Sequence, residues 1–245
     1  MTKQGAHGLT METWKKVVGA IEDSIPLYDR VNEMISLGQA SAARKFAIEQ
    51  LQLTGESKVL DAGIGPGTTS KLVLESVVPS LLVGLDGSVK QLTTARSNLG
   101  TIGANVLHVV CGSFEFLPFR DQTFDSVITC YALRDSFNLT QSIGEYYRVC
   151  EERGAFADVD IGKPENFLKR LGSNLYIRYL MPLIAKFAIL GKIKGNPWRM
   201  IVPTYRTLPT TPTILSMMKE KFQQVQLKEF IMGGLVVIVS RKSKT

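Results

Sequence analysis

The sequence predicts an α/β fold: a mostly parallel seven-stranded sheet, covered by helices on both faces and closed by an antiparallel hairpin at the C-terminus. Three observations predict this fold. Apolar strand-like runs alternate with helical stretches from residue 58 onward. The chain is 44% hydrophobic over 245 residues, which suits one α/β core with an insertion. Two apolar runs near the C-terminus flank a glycine pair, a pattern typical of a hairpin.

The first two predicted segments differ, because the first is helical and the second supplies most of the sheet. Residues 1–57 are predicted to be helical, with candidate helices at 11–25 and 44–53. Residues 58–162 are predicted to form the ligand-binding core. Its predicted strands are 58–61, 81–86, 105–111, 124–130 and 154–161, and its predicted helices are 69–78, 89–99 and 139–150.

The C-terminal part breaks this alternation. Residues 163–212 are predicted to be an insertion or lid, with one or two amphipathic helices around Pro182 and then a stretch rich in proline. Residues 213–245 are predicted to give a helix at 213–221 and strands at 225–230 and 235–240. A parallel sheet completed by an antiparallel pair fits a Rossmann-like class I methyltransferase fold better than a dehydrogenase.

A glycine-rich turn follows the first strand and indicates a ligand site. Asp61 ends the strand, and Gly63, Gly65 and Gly67 follow it, so the backbone can turn sharply and approach a ligand. A dinucleotide pyrophosphate would favour bare helix N–H groups there, whereas Asp61 suits a ligand with a positive end. Asp86, at the end of the second strand, suits a ribose diol with either cofactor.

Composition excludes several other classes of function. The net charge of +7 is spread without a dense basic run, so we expect no nucleic-acid partner. The cysteines Cys111, Cys130 and Cys150 form no CxxC pair, which argues against a zinc site or a disulfide framework. His7 and His108 are isolated, and we assign neither a catalytic role.

The apolar stretch at residues 175–193 contains a proline and three basic residues, so it should not span a bilayer. Its composition fits a lid or a helix resting on a membrane surface, although a core-packed cap is the more frequent structure. The N-terminal residues lack a signal-peptide pattern. We therefore expect a cytoplasmic protein with peripheral contact at the inner face of the membrane, and a homodimer is also compatible with the sequence.

Several motifs together carry a resemblance to a known family. From about residue 28 to the C-terminus the chain resembles the ubiquinone/menaquinone-biosynthesis C-methyltransferases. The resemblance implies the cofactor S-adenosylmethionine and methylation of a prenylated quinol ring. The matching elements are Tyr28-Asp29-Arg30-Val31-Asn32, Val59-Leu60-Asp61-Ala62-Gly63, Gly84-Leu85-Asp86-Gly87-Ser88, Leu117-Pro118-Phe119, Leu133-Arg134-Asp135 and Asp160-Ile161-Gly162-Lys163-Pro164.

The resemblance assigns roles in cofactor binding. Asp61 would receive the amino group of the cofactor, and Asp86 the two ribose hydroxyls. Ser113 and Phe114 would hold the adenine by hydrogen bonding and stacking. Gly87, Ser88, Cys130 and Tyr131 complete the predicted cofactor-binding set. Alternatives remain open: Asp86 could cap the following helix, and Phe114 could be an aromatic residue of the core.

The resemblance also assigns the acceptor chemistry. A guanidinium at Arg134 would stabilise the phenolate that makes the quinol ring electron-rich, but arginine is a poor base. A water held by Arg134 and either Asp135 or Asp160 is therefore the predicted proton acceptor, and Tyr28 is predicted to close over the sulfonium. Arg134 could instead be an arginine of a structural ion pair, and Tyr28 a buried helix tyrosine.

Three rival functions remain open. An O- or N-methyltransferase of another small molecule or lipid would keep the cofactor and change the acceptor. A nicotinamide-dependent oxidoreductase is disfavoured by the acid before the glycines. A binding module without activity would follow if Pro66 or Cys130 altered the pocket.

Overall fold

The computed structural model describes residues 8–103, 105–189, 191–193 and 195–243. They include a seven-stranded sheet of order β3-β2-β1-β4-β5-β7-β6. The strands are β1 Lys58–Ala62, β2 Leu81–Asp86, β3 Leu107–Cys111, β4 Phe124–Cys130, β5 Cys150–Ile161, β6 Gln224–Phe230 and β7 Leu235–Arg241. The first five strands pair in parallel, and β7 pairs antiparallel to both β5 and β6. The predicted fold class is therefore confirmed.

Helices cover both faces of the sheet. The helices are α1 Met11–Ser24, α2 Tyr28–Ile35, α3 Ala40–Leu51, α4 Thr68–Ser76, α5 Val89–Leu99, α6 Leu139–Val149, α7 Phe167–Leu175, α8 Met181–Ile189, α9 Ile201–Thr207 and α10 Thr211–Lys219. On one face, α3, α4 and α5 pack against apolar side chains of the strands. On the other face, α2, α6, α8 and α10 form a second apolar cluster. Burial of both clusters is the main force that holds the layers together.

Strands β1 and β4 are neighbours at the centre of the sheet. The direction in which successive strands are added reverses between them. In open parallel sheets a ligand binds at such a reversal, outside the carboxyl ends of the strands. The glycine loop after β1 and the short turn Leu133–Asp135 after β4 meet at this edge. The topology therefore brings the predicted cofactor and acceptor residues together.

Several predicted boundaries differ from the structure. The helix predicted at 44–53 begins at Ala40, and β5 begins at Cys150 rather than at 154. Within that extension the pairing of β4 with β5 shifts register, and Arg153 is left-handed (φ 64°). Such an irregularity interrupts the alternation of buried and exposed side chains from which a strand is predicted. The proline-rich stretch was predicted without a helix, yet it contains α9, because Pro203 lies in the first turn, where no N–H is needed.

The predicted insertion contains a helix that continues across Pro182. Helices α7 and α8 are joined by a π-helical segment, Tyr176–Leu180, rather than by a break at the proline. The N–H of Met181 donates to the carbonyl of Tyr176, one residue further back than in an α-helix. Such a wide turn is a usual way to accommodate a residue that cannot donate.

Two hydrogen bonds tie this insertion to the N-terminal helices. The hydroxyl of Tyr176 donates to the carbonyl of Ile35 at 2.6 Å, and the indole Nε1 of Trp198 donates to Oδ1 of Asn32 at 2.8 Å. Trp198 is buried. The N-terminal helices and the insertion therefore form one cover above the carboxyl edge of the sheet.

Candidate active site

The glycine loop is shaped by close contacts that only glycine permits. A Cβ atom on Gly63 would lie 2.4 Å from Cβ of Ala132, and one on Gly67 would lie 2.8 Å from Cδ1 of Leu99. Both glycines have positive φ angles, as does Gly65. The loop is further fixed because the N–H of Gly63 donates to the carbonyl of Leu85 at 2.7 Å. These contacts bring the loop close to the turn after β4.

Asp61 is fully buried beneath this loop. Its Oδ2 accepts a hydrogen bond from the hydroxyl of Ser70 at 2.7 Å, whereas its Oδ1 has no partner among the described residues. Burial raises the pKa of the Asp61 carboxyl group to about 6, while the bond from Ser70 opposes that rise. An unpartnered buried carboxylate oxygen is costly unless a ligand satisfies it, and an ammonium group would do so.

Asp86 joins the ends of the first two strands. Its Oδ2 accepts from the N–H of Gly65 at 3.0 Å, and its Oδ1 accepts from the N–H of Ser88 at 2.9 Å. Ser88, not Asp86, caps α5, since its hydroxyl accepts from the N–H of Gln91. The capping alternative for Asp86 is therefore wrong. The remaining lone pairs of the carboxylate can accept hydrogen bonds from ribose hydroxyls.

The remaining predicted cofactor residues surround the loop. The ring of Phe114 lies 3.3 Å from the position a Cβ on Gly63 would occupy, and it also packs against the core. Ser113 forms an isolated bridge with Phe116 beside it. Cys130 is buried, and burial raises the pKa of its thiol to about 12. Cys130 is therefore a neutral packing group.

Helix α1 packs against the turn after β2, which follows Asp86. The indole of Trp14 lies 2.8 Å from the position a Cβ on Gly87 would occupy, and Glu22 accepts a hydrogen bond from the hydroxyl of Ser88. The ring centroids of Trp14 and Phe137 are 5.5 Å apart. The sequence pattern did not indicate either contact, because the spacing of a helix does not show which neighbour it packs against.

Arg44 is a functional candidate that the sequence interpretation missed. It is 2% exposed, and its guanidinium carbon lies 4.7 Å from the ring centroid of Tyr131. No carboxylate among the described residues forms an ion pair with it, and its Nε has no hydrogen-bond partner there. The signal that could have found it is an arginine between Ala43 and Ala47 on the buried face of α3. A buried unpaired cation suits a carboxylate ligand.

Arg134 lies in the turn after β4 with two carboxylates. Its Nη1 is 2.6 Å from Oδ1 of Asp160, and its Nε is 3.7 Å from Oδ1 of Asp135. The backbone N–H of Arg134 also donates to Asp160. Burial alone would lower the pKa of the guanidinium, but the two carboxylates more than offset this effect and raise it. Arg134 therefore stays charged at every pH at which the protein is folded.

The two carboxylates differ in their access to ligand. Arg134 and Asp135 both line a cavity, whereas Asp160 lies behind Arg134 and also accepts from the N–H of Ile161. Burial raises the pKa of Asp135 to about 6, and its Oδ1 has no hydrogen bond among the described residues. Of the two carboxylates predicted to hold the proton-accepting water with Arg134, Asp135 is the one that lines the cavity.

The cavity has a volume of about 420 Å³ and opens beside the insertion. Its lining is mainly apolar and comes from the N-terminal helices, the insertion and the end of the sheet. The polar lining residues include Tyr28, Asn32, Tyr131, Arg134, Asp135, Lys169 and Thr204; the apolar ones include Val17, Ile21, Ile35, Ile161, Ile177, Met181, Trp198, Ile201 and Leu235. Tyr28 thus lines the same cavity as Arg134, and its closure over the sulfonium stays a prediction.

The remaining sequence predictions concern the histidines, metal sites and membrane-spanning helices. His108 lies exposed on β3, and His7 lies outside the described residues. Among the described residues no group of three His, Cys, Asp or Glu side chains could hold a metal ion. None of the described helices combines the length and hydropathy needed to cross a bilayer.

Comparison with protein families identifies the family of this chain. The model of the ubiE/COQ5 methyltransferase family matches residues 10–242. The chain belongs to the ubiE/COQ5 methyltransferase family. It is similar to the demethylmenaquinone methyltransferase of Listeria welshimeri, with 30% identity over 71% of this chain and 74% of the relative. The corresponding enzyme of Lactiplantibacillus plantarum is 28% identical over 89% of this chain and 92% of the relative.

Solved structures support the same fold. A SAM-dependent methyltransferase from Thermotoga maritima superimposes with a TM-score of 0.58 over 92% of this chain and 99% of that chain, at 17% identity. The YcgJ protein of Bacillus subtilis gives a TM-score of 0.55 over 84% of this chain and 100% of that chain, at 19% identity. The ubiE/COQ5 member described here is an S-adenosylmethionine-dependent methyltransferase.

The residues present fit this cofactor. Its ammonium group has a counterpart in the unpartnered Oδ1 of Asp61, and its carboxylate has one in the unpaired guanidinium of Arg44. Asp86 has the geometry to accept from two ribose hydroxyls. The loop that would lie against the cofactor is free of Cβ atoms at Gly63, Gly65 and Gly67.

Proposed function

We propose that the enzyme methylates a ring carbon of a prenylated hydroquinone, of the demethylmenaquinol or polyprenyl-benzoquinol type. The observation that carries the proposal is the cavity itself. It combines an arginine that stays charged and a carboxylate with a lining that is mainly apolar, and Tyr131 of this lining precedes Ala132, which packs against Gly63 of the glycine loop. A ring with one acidic hydroxyl and a long hydrocarbon tail matches both parts.

When bound, S-adenosylmethionine supplies an electrophilic methyl group. Asp135 would take the proton from the ring hydroxyl, directly or through one water, because its pKa of about 6 leaves it ionised at neutral pH. Arg134 would stabilise the resulting phenolate, whose electron density reaches the neighbouring ring carbon. That carbon would accept the methyl group and would then lose its own proton to water, which restores the aromatic ring.

Asp160 holds the guanidinium in place for this role. It accepts both from the side chain and from the backbone N–H of Arg134, so the side chain is fixed relative to the turn. The apolar walls and the cover formed by the N-terminal helices and the insertion exclude water. Exclusion of water strengthens the attraction between Arg134 and a phenolate.

The proposal is tested with a demethylmenaquinol analogue that carries a short prenyl chain, kept reduced and incubated with methyl-labelled cofactor. We expect one new methyl group on a ring carbon, identified by NMR of the product. A methyl group on oxygen would show an O-methyltransferase instead. No methylation of the analogue by enzyme that binds S-adenosylhomocysteine would contradict the proposed acceptor and leave the family assignment intact.

A further inference from the structure

The helix that crosses the insertion exposes a row of large apolar side chains. They recur at every fourth residue, which places them on successive turns. Each is between 44% and 67% exposed, and α7 contains no buried residue among those described. The row consists of Phe167, Leu171, Leu175, Tyr179, Leu183 and Phe187. Side chains of this size are normally buried in a soluble surface helix, so the row indicates a partner surface.

Positive charge is concentrated in the same part of the chain. Residues 166–219 contain nine lysine and arginine residues and no aspartate or glutamate, whereas the rest of the chain contains 20 basic and 22 acidic residues. On the helix itself, Lys169 pairs with Glu229 at 3.2 Å. Arg178 and Lys186 are exposed, and no carboxylate among the described residues pairs with either. The partner surface is therefore negatively charged as well as apolar.

The row borders the opening of the cavity. Leu168, Gly172 and Tyr176, on the same helix, line the cavity, and Leu168 is 74% exposed. Met232, in the turn between β6 and β7, also lines the cavity and is 78% exposed. A surface that covers the row would therefore also cover the opening.

We propose that this helix docks the enzyme on the surface of an anionic lipid bilayer. Its apolar row would enter the acyl boundary, and Arg178 and Lys186 would contact the headgroups, which is the usual arrangement of an interfacial amphipathic helix. A second copy of the chain is the poorer partner, because a twofold interface would oppose two strongly basic insertions. The proposal goes beyond methyl transfer and does not depend on the identity of the acceptor.

The test is flotation of the full-length protein with phosphatidylcholine vesicles, with and without phosphatidylglycerol, and without substrate. We expect binding only to vesicles that contain phosphatidylglycerol, and loss of binding at high salt. The variant Leu171→Gln/Leu175→Gln should bind about tenfold more weakly. The control Val78→Gln/Ile102→Gln removes apolar side chains of similar exposure (52% and 45%, against 44% and 53%) from elsewhere and should bind like the parent.

Two further measurements complete the test. Arg178→Gln/Lys186→Gln should reduce the preference for phosphatidylglycerol while keeping the thermal unfolding midpoint of the parent. Light scattering should give a monomer whose mass is unaffected by Leu171→Gln/Leu175→Gln. Equal vesicle binding by the parent and that variant would overturn the proposal. So would a dimer that the variant dissociates, because the row would then be a contact between copies.

Discussion

Asp160 accepts two hydrogen bonds from Arg134, one from Nη1 at 2.6 Å and one from the backbone N–H at 3.1 Å. Oδ1 of Asp135 lies 3.7 Å from Nε of Arg134 and has no hydrogen-bond partner among the described residues. One carboxylate thus positions the arginine and the other remains available. The two acids that the sequence could not rank therefore have different surroundings. We therefore expect substitutions of Asp135 and of Asp160 to have different effects on the enzyme.

Arg134→Lys keeps the positive charge but loses the planar guanidinium that contacts both carboxylates. We expect turnover to fall by about 100-fold with S-adenosylhomocysteine affinity unchanged. Asp86→Ala should instead weaken the binding of S-adenosylhomocysteine. It removes the carboxylate that would accept from the ribose hydroxyls, and it leaves the N–H groups of Gly65 and Ser88 unpartnered. Calorimetric titration with S-adenosylhomocysteine, beside single-turnover methylation, measures both. Full activity of Arg134→Ala, which removes the charge altogether, would refute the phenolate role.

The pH dependence of methylation should report Asp135. Because the pKa of Asp135 is raised to about 6, protonation below that value removes the base, and the single-turnover rate should fall as pH drops through 6. Asp135→Asn should be slow and should lack this inflection. The measurement uses saturating cofactor, so that the titration of Asp61 does not enter. An unchanged inflection in Asp135→Asn would assign it to another group.

The stability of the ligand-free enzyme should depend on Asp61. Its pKa in the folded protein, about 6, exceeds that of a carboxyl group in an unfolded chain, so the folded state binds the proton more tightly. The resulting stabilisation is present at low pH and is lost as pH rises through 6, by about 3 kcal/mol at most. Thermal unfolding from pH 4.5 to about 7.5 should show a smaller pH dependence for Asp61→Asn than for the parent. Equal pH dependence would mean that Asp61 is not the group responsible.

Arg44 should contribute to binding through the carboxylate of the cofactor. Arg44→Met is expected to weaken S-adenosylhomocysteine binding by about 100-fold, because a buried charge-assisted pair is lost. Its affinity for 5′-methylthioadenosine, which has no carboxylate or ammonium, should stay the same as that of the parent. Lys45→Met, on the exposed side of the same helix, is the control and should bind both ligands normally. Equal loss for both ligands in Arg44→Met would instead indicate damage to the fold of the loop.

The hydrogen bond between Trp198 and Asn32 should stabilise the cover over the cavity. Trp198→Phe keeps a ring but removes the indole N–H that donates to Asn32. We expect a double-mutant cycle with Asn32→Ala to give a coupling of about 1 kcal/mol in the free energy of unfolding. Denaturant unfolding of the parent, both single variants and the double variant measures it. Additive effects would show that the bond contributes nothing to stability.

The sequence allowed the prediction of elements whose pattern is local. Strands 81–86 and 124–130 and helix 89–99 were predicted with their observed limits, because alternation, helical spacing and the Ser88 cap lie within each element. The glycine loop could also be predicted. Its conformation depends on positive φ angles that few other residues adopt.

The rest depends on contacts between distant segments. Nothing near Arg44 shows that it faces Tyr131, 87 positions later, and nothing near Trp14 shows that it covers Gly87. The sequence could not show which of Asp135 and Asp160 reaches the cavity. Asp135 follows β4 and Asp160 lies near the end of β5, so both are at the same edge of the sheet. Which of the two reaches the cavity depends on the orientation of the turn after β4.

The position of α1 has a consequence for how the two parts of the site communicate. Trp14 and Glu22 contact Gly87 and Ser88 in the turn after β2, and Val17, Ile21 and Ser24 of the same helix line the cavity. A shift of α1 would therefore change the surroundings of Asp86 and the shape of the cavity together. Occupation of one part of the site is thus expected to alter the affinity of the other.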